Sequence, residues 1–184
     1  SISFTFYQTL DDTPLLDRRI LAVDLGINNS ACMVVLDWKG TVLARKFLRL
    51  ASEEDHLYRM LQLIQEKQSE KGSRENKRLW ATVNGVNADI ADKTVKSIIE
   101  MADLYAVHTI VLEHLDLSGK KRGSKTSRQR LHMWCVKRIQ KMVFDRAHRS
   151  GHHVSRVNAW NTSRLAFDGS GVVTRGRHIT PRVD

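Results

Sequence analysis

Apolar positions come first in short continuous runs and then in helical stripes. From Arg19 the chain reads ILAVDLG, a run ended by Gly26; SACMVVLD follows, then a Lys39-Gly40 turn signal, then TVLARKFLRL. This spacing predicts three short strands, the second and third joined closely enough to form an antiparallel hairpin. Ser52-Glu53-Glu54-Asp55 then reads as a helix start, with Ser52 placed to cap and acids in the first turn. Leu57, Leu61 and Ile64 continue that helix at helical spacing. After a polar break at Lys71-Gly72-Ser73, a second helix carries Leu79, Val83, Val86 and Ile90 on one stripe. Val95, Ile98, Ile99 and Ala102 form another, with Gly85 as a weak point inside.

His108 to Leu112 is a further buried strand with Glu113 at its C-terminal end. The stretch LSGKKRGSKTSRQR predicts an exposed loop. A third helix holds Leu131, Cys135, Ile139, Met142 and Val143 at core spacing and stops near Ser150-Gly151, and HHVSRVNAW reads as a fifth strand. Beyond Asn161 glycines break the pattern and no regular element is predicted. No internal repeat or linker divides the chain, so one α/β domain over residues 1–184 is expected. The order of elements is that of a ribonuclease-H-like fold, a mixed five-stranded sheet flanked by helices. Many chemistries share such an order, so the side chains must decide function.

Charge narrows the partners. Residues 1–116 are close to neutral, at −3, whereas residues 117–151 carry eleven basic residues against Asp145 alone. A neutral body with one concentrated basic stretch suits phosphate, because each neutralised phosphate releases condensed counterions. A solvated basic helix face is the plainer alternative, and an acidic membrane surface fits less well because few bulky apolar residues oppose the charges. Lys120, Lys121, Arg122, Lys125, Arg128 and Arg130 are the candidate phosphate contacts, which position a nucleic acid without reading its sequence. Trp160 is a candidate for stacking on bases; Trp134, at helical spacing, reads as core. No apolar run reaches the about 18 residues of a membrane span. Two cysteines, Cys32 and Cys135, supply neither a disulfide framework nor a zinc site, and a reduced, cytoplasmic setting is expected. The chain begins at Ser1 without a secretion signal and reads as a piece of something longer.

Two acids occupy positions that are hard to justify by packing. Asp24 interrupts ILAVDLG and Glu113 closes TIVLE, each in the same place relative to its run. A buried unpaired carboxylate is costly, so each needs a cation, a donor or a cleft; capping of the Leu25-Gly26 turn and an exposed strand end are the simpler accounts. If their strands are neighbours, two carboxylates meet at one sheet edge and favour a hard divalent ion such as Mg²⁺ or Mn²⁺, suited to phosphodiester hydrolysis. His108, His152 and His153 sit in or beside strands and read as packed or exposed rather than as ligands.

AVDLGINNSACMVVLD, ADKTVKSIIEMADLYAVHTIVLEHLD and LHMWCVKRIQKMVFDRAHRSGHHVSRVNAWNTS, in that order, resemble the RuvC-like nuclease domain of type V CRISPR effectors and of related transposon-encoded RNA-guided nucleases. The likeness covers roughly residues 19–170. It implies an RNA-guided DNA endonuclease of antiviral defence, with Asp24 and Glu113 as catalytic metal ligands. A third aspartate is implied in a later segment; Asp184 fits its order better than Asp168, although it is the last residue. Mg²⁺ or Mn²⁺ is the implied cofactor, and DNA target and guide RNA are the implied partners, the guide being held by parts outside this chain. That family often carries a zinc ribbon after its Thr-Ser, but TSRLAFDGSGVV has no cysteine, so no zinc is expected. A RuvC-like domain that binds without cutting remains an alternative. DLGINNS also resembles the first phosphate loop of actin and Hsp70-like ATPases, without a second such loop or an adenosine motif.

Overall fold

The computed structural model describes residues 18–26, 30–69, 76–114 and 127–158, without the side chains of His114, residues 127–134 and Asn158. Its elements run β1 (Ile20–Asp24), β2 (Ala31–Leu36), β3 (Val42–Leu48), α1 (Ala51–Ser69), α2 (Lys77–Leu104), β4 (Thr109–His114), α3 (Ser127–Arg149) and β5 (His153–Asn158). The five strands form one sheet in the order β3-β2-β1-β4-β5. β1 pairs antiparallel with β2 and parallel with β4; β2–β3 is antiparallel and β4–β5 parallel. This is a ribonuclease-H-like α/β fold.

Period-two alternation decides which face of the sheet is buried. Leu21 and Val23 of β1, Ala31, Met33 and Val35 of β2, and Ile110 and Leu112 of β4 are nearly inaccessible. They pack against Ile90, Ala91, Val95, Ile98, Met101 and Ala102 of α2 and Cys135, Ile139, Val143 and Ala147 of α3. Both expected stripes of the second helix belong to this one 28-residue helix, which passes unbroken through Gly85. α1 joins by Ile64, buried, and Leu57, packed against the core.

Local chemistry sets the joints. In the β2–β3 turn Asp37 Oδ1 accepts from the amides of Lys39 and Thr41, and Gly40 takes φ +84°, so the expected turn forms where Gly tolerates it. α2 and α3 end alike. Ala106 (φ 47°) and Gly151 (φ 80°) turn left-handed, while the amides of Val107 and His152 reach back to the carbonyls of Ala102 and Ala147, each 2.9 Å away. Each ending feeds a parallel strand, β4 or β5.

Three expectations need correction. Ser52 is not the cap of α1: the helix begins at Ala51, the Glu54 amide bonds the Leu50 carbonyl, and the Ser52 hydroxyl donates to Glu53 Oε2 at 2.9 Å. In the first turn Glu53 pairs with Lys93 of α2, whose ammonium lies 2.6 Å from Glu53 and 2.7 Å from Asp89. Arg128 and Arg130 belong to α3 and not to a loop, because Ser-Arg-Gln-Arg is helix-compatible and extends the helix to Ser127. His108 precedes β4, and β5 opens at His153 rather than His152. The His108 and His153 rings stack with centroids 4.6 Å apart, at the N-terminal ends of their strands. Burial, then the neighbouring charges of Arg18, His153 and His152, lowers the His108 pKa.

Two stability outcomes follow. A Cβ at Gly85 would meet nothing within 4 Å, so Gly85→Ala should stabilise the chain by about 0.5–1 kcal/mol in urea unfolding through reduced unfolded-state entropy. The Lys93 hydrogen bond, with help from its own amide and Ser52, holds the Glu53 carboxyl down at about 2 from the ordinary 4.5. Its contribution is therefore present above about pH 4.5 and is lost as pH falls towards 2. Thermal melts of Glu53→Gln should lie at most a few degrees below wild type at pH 7, with the gap closing over that acid range.

Candidate functional site

β1 and β4 lie side by side, and their parallel register pairs Ile20 with Thr109, Leu21 with Ile110, Ala22 with Val111 and Val23 with Leu112. The next position on each strand is Asp24 and Glu113. Residues level across a parallel pair project to the same face. Since Val23 and Leu112 face the helices, Asp24 and Glu113 point to the opposite face at the C-terminal ends of their strands. Asp24 is exposed and Glu113 half-buried. Solvent access therefore removes the burial cost that the interrupted apolar run suggested for Asp24.

The row continues to both sheet edges. Asp24 is level with Cys32 of β2, and Cys32 with Phe47 of β3; Glu113 is level with Val157 of β5. Burial, and then the charge of Asp24, raises the Cys32 thiol pKa. Behind this row stand Arg45, Val34, Ala22, Val111 and Ser155. Glu113 is fixed from the helical side as well: Gln140 Nε2 of α3 donates to its backbone carbonyl at 2.8 Å. Cys32 and Gln140 escaped the sequence because each depends on a register or a helix phase across a gap. For Cys32 that gap is the stretch of residues 27–29.

The donor set suits a hard cation. Two carboxylates converge on one accessible face, and oxygen donors at a strand end match Mg²⁺ or Mn²⁺ rather than a soft metal. Among the described residues no group of three or more His, Cys, Asp or Glu that could hold a metal ion assembles. Asp184, Asp168, Trp160, Lys120, Lys121, Arg122 and Lys125 lie outside the described residues, and of Arg128, Arg130 and Trp134 only the helical backbone is described. Further along α3, Lys137, Arg138, Lys141 and Arg149 are exposed, extending the basic character along the helix. A cavity of about 70 Å³ lies elsewhere, lined by Gly26, Ser30, Glu54, Tyr58, Asn87 and Ile139 among others, and neither candidate acid lines it. Among the described residues no helix is long and apolar enough to cross a membrane.

Comparisons with known proteins bear on the fold. No family model matches the chain. It is 30% identical over 166 residues to a TnpB-like protein of Aquifex aeolicus, an alignment covering 80% of this chain and 53% of that protein. Its fold matches a Cas12f1–sgRNA–target DNA complex with TM-score 0.61 at 14% identity, over 84% of this chain and 39% of that one. It also matches Alicyclobacillus acidoterrestris C2c1 bound to single-guide RNA, with TM-score 0.62 at 12% identity, over 89% and 35% of the two chains. The chain thus spans about half the length of its curated relative.

The Asp24–Cys32 contact is measurable in solution. Burial raises the Cys135 thiol to about 11, so at pH 8–9 alkylation reports mainly on Cys32. Asp24→Asn should shift the Cys32 alkylation midpoint to lower pH in a Cys135→Ser background; an unchanged midpoint would contradict the register.

Proposed function

For a chain that is a RuvC-like nuclease domain related to TnpB, we propose the role of cleavage module in an RNA-guided DNA endonuclease. The observation that carries the proposal is the β1–β4 register, with Asp24 and Glu113 level on one open face. These two carboxylates would hold Mg²⁺ or Mn²⁺, with Asp184 the sequence's candidate for a third ligand. An ion held there would supply the Lewis acidity that phosphodiester hydrolysis needs. The protein's own part is positional. The strand ends fix both carboxylates, Gln140 anchors the Glu113 backbone, and the basic residues from Lys120 to Arg130 hold the phosphate backbone without sequence preference.

One structural neighbour solved with guide RNA and target DNA, and another solved with guide RNA, support the same partners here. Choice of target then falls to base pairing with the guide, and that guide is held by regions beyond this domain. Likeness to a TnpB-like protein favours this reading over ATP binding. A second reading is a RuvC-like domain that binds nucleic acid without cutting it.

The two separate in the intact protein that carries this chain, loaded with guide. Asp24→Ala and Glu113→Ala should each reduce Mg²⁺-dependent DNA cleavage at least about 100-fold, the loss of a few kcal/mol of transition-state stabilisation. DNA affinity should stay near wild type. Cleavage by Asp24→Ala at the wild-type rate would reject the proposed site, and a wild-type protein that binds but never cuts would establish the second reading.

A further inference from the structure

Phe47 is 62% exposed, the most open aromatic residue of the sheet, yet it lies in the same cross-strand row as the candidate acids: Phe47, Cys32, Asp24, Glu113. Alternation puts all four on one face. Two strand spacings separate Phe47 from Asp24, about 10 Å, or about three stacked nucleotides at 3.4 Å each. Arg45, on the same face one row back, is exposed, as are Lys46 and Arg49 beside it. Leu48 and Leu50, by contrast, turn inward and pack against the core. An exposed phenyl ring with Arg45 on its own face and Arg49 just beyond the strand end, level with two carboxylates, combines a stacking surface with backbone charge complementarity.

We propose that Phe47 is a base-stacking platform that receives a single-stranded nucleic acid next to the scissile phosphate, with Arg45 and Arg49 contacting the flanking phosphates. This deepens the nuclease reading and rests on it for the position of the scissile phosphate. Carboxylates repel phosphate, so a strand crossing this face needs the adjacent cations and a ring to hold it at the metal-binding row. Stacking on a phenyl ring tolerates any base, as a guide-directed cutter requires.

The test is binding of the 184-residue chain, in EDTA, to a labelled oligothymidylate and to an abasic strand of equal length. Wild type should prefer the base-bearing strand. Phe47→Ala should weaken oligothymidylate binding about tenfold and abolish the preference, while Phe47→Trp keeps it. Arg45→Gln together with Arg49→Gln should weaken both strands equally and flatten the salt dependence. Circular dichroism melts confirm folding, as substitution at so exposed a position permits. An unchanged preference in Phe47→Ala overturns the proposal. So does a Phe47→Ala effect confined to self-association in sedimentation, which would assign the ring to a protein contact. Because no cleavage is measured, failure here leaves the Asp24 result untouched, and an inactive Asp24 site leaves this result standing.

Discussion

The site depends on one constraint: the parallel register of β1 against β4. Period-two alternation sends Val23 and Leu112 into the helical layer, and that burial fixes the phase of both strands. A slip of one residue in either strand would put an apolar side chain in water and a carboxylate in the core. The hydrophobic effect therefore sets the direction of Asp24 and Glu113, although neither is hydrophobic. The core thus aims the acids without touching them.

Around that pair the helices act as clamps. α2 and α3 cover the inner face, and each ends in a left-handed residue whose neighbour's amide returns to the helix, delivering β4 and β5 in the same direction. Arg146 of α3 also pairs with Asp92 of α2, tying the two helices together beneath the sheet. The outer face is left to chemistry: acids in the middle, Phe47 and Val157 at the two edges of the row, and Arg45 on β3.

Much of this was legible in the chain. ILAVD and TIVLE each place an acid after an apolar run, which is enough to predict a strand-end carboxylate, and the Lys39-Gly40 turn marks the hairpin. Less was legible where partners are distant. The start of α1 reads as a serine cap, but the helix begins at Ala51, and Glu53 pairs instead with Lys93, forty residues on. Sequence could not show that Cys32 stands beside Asp24, nor that Phe47 stands in line with both. Those facts require registers on two strand pairs at once. Arg128 and Arg130 read as loop because Gly119 and Gly123 lie close by, although Ser-Arg-Gln-Arg is helix-compatible.

The central claim is that these two carboxylates share one divalent ion, and paramagnetic broadening by Mn²⁺ tests it most directly. In a ¹⁵N-labelled chain, substoichiometric Mn²⁺ should broaden the amides around Asp24 and Glu113 together, spare the His108–His153 end of the sheet, and lose both effects in Asp24→Asn. Broadening that reaches one acid without the other, or that survives Asp24→Asn unchanged, would contradict it.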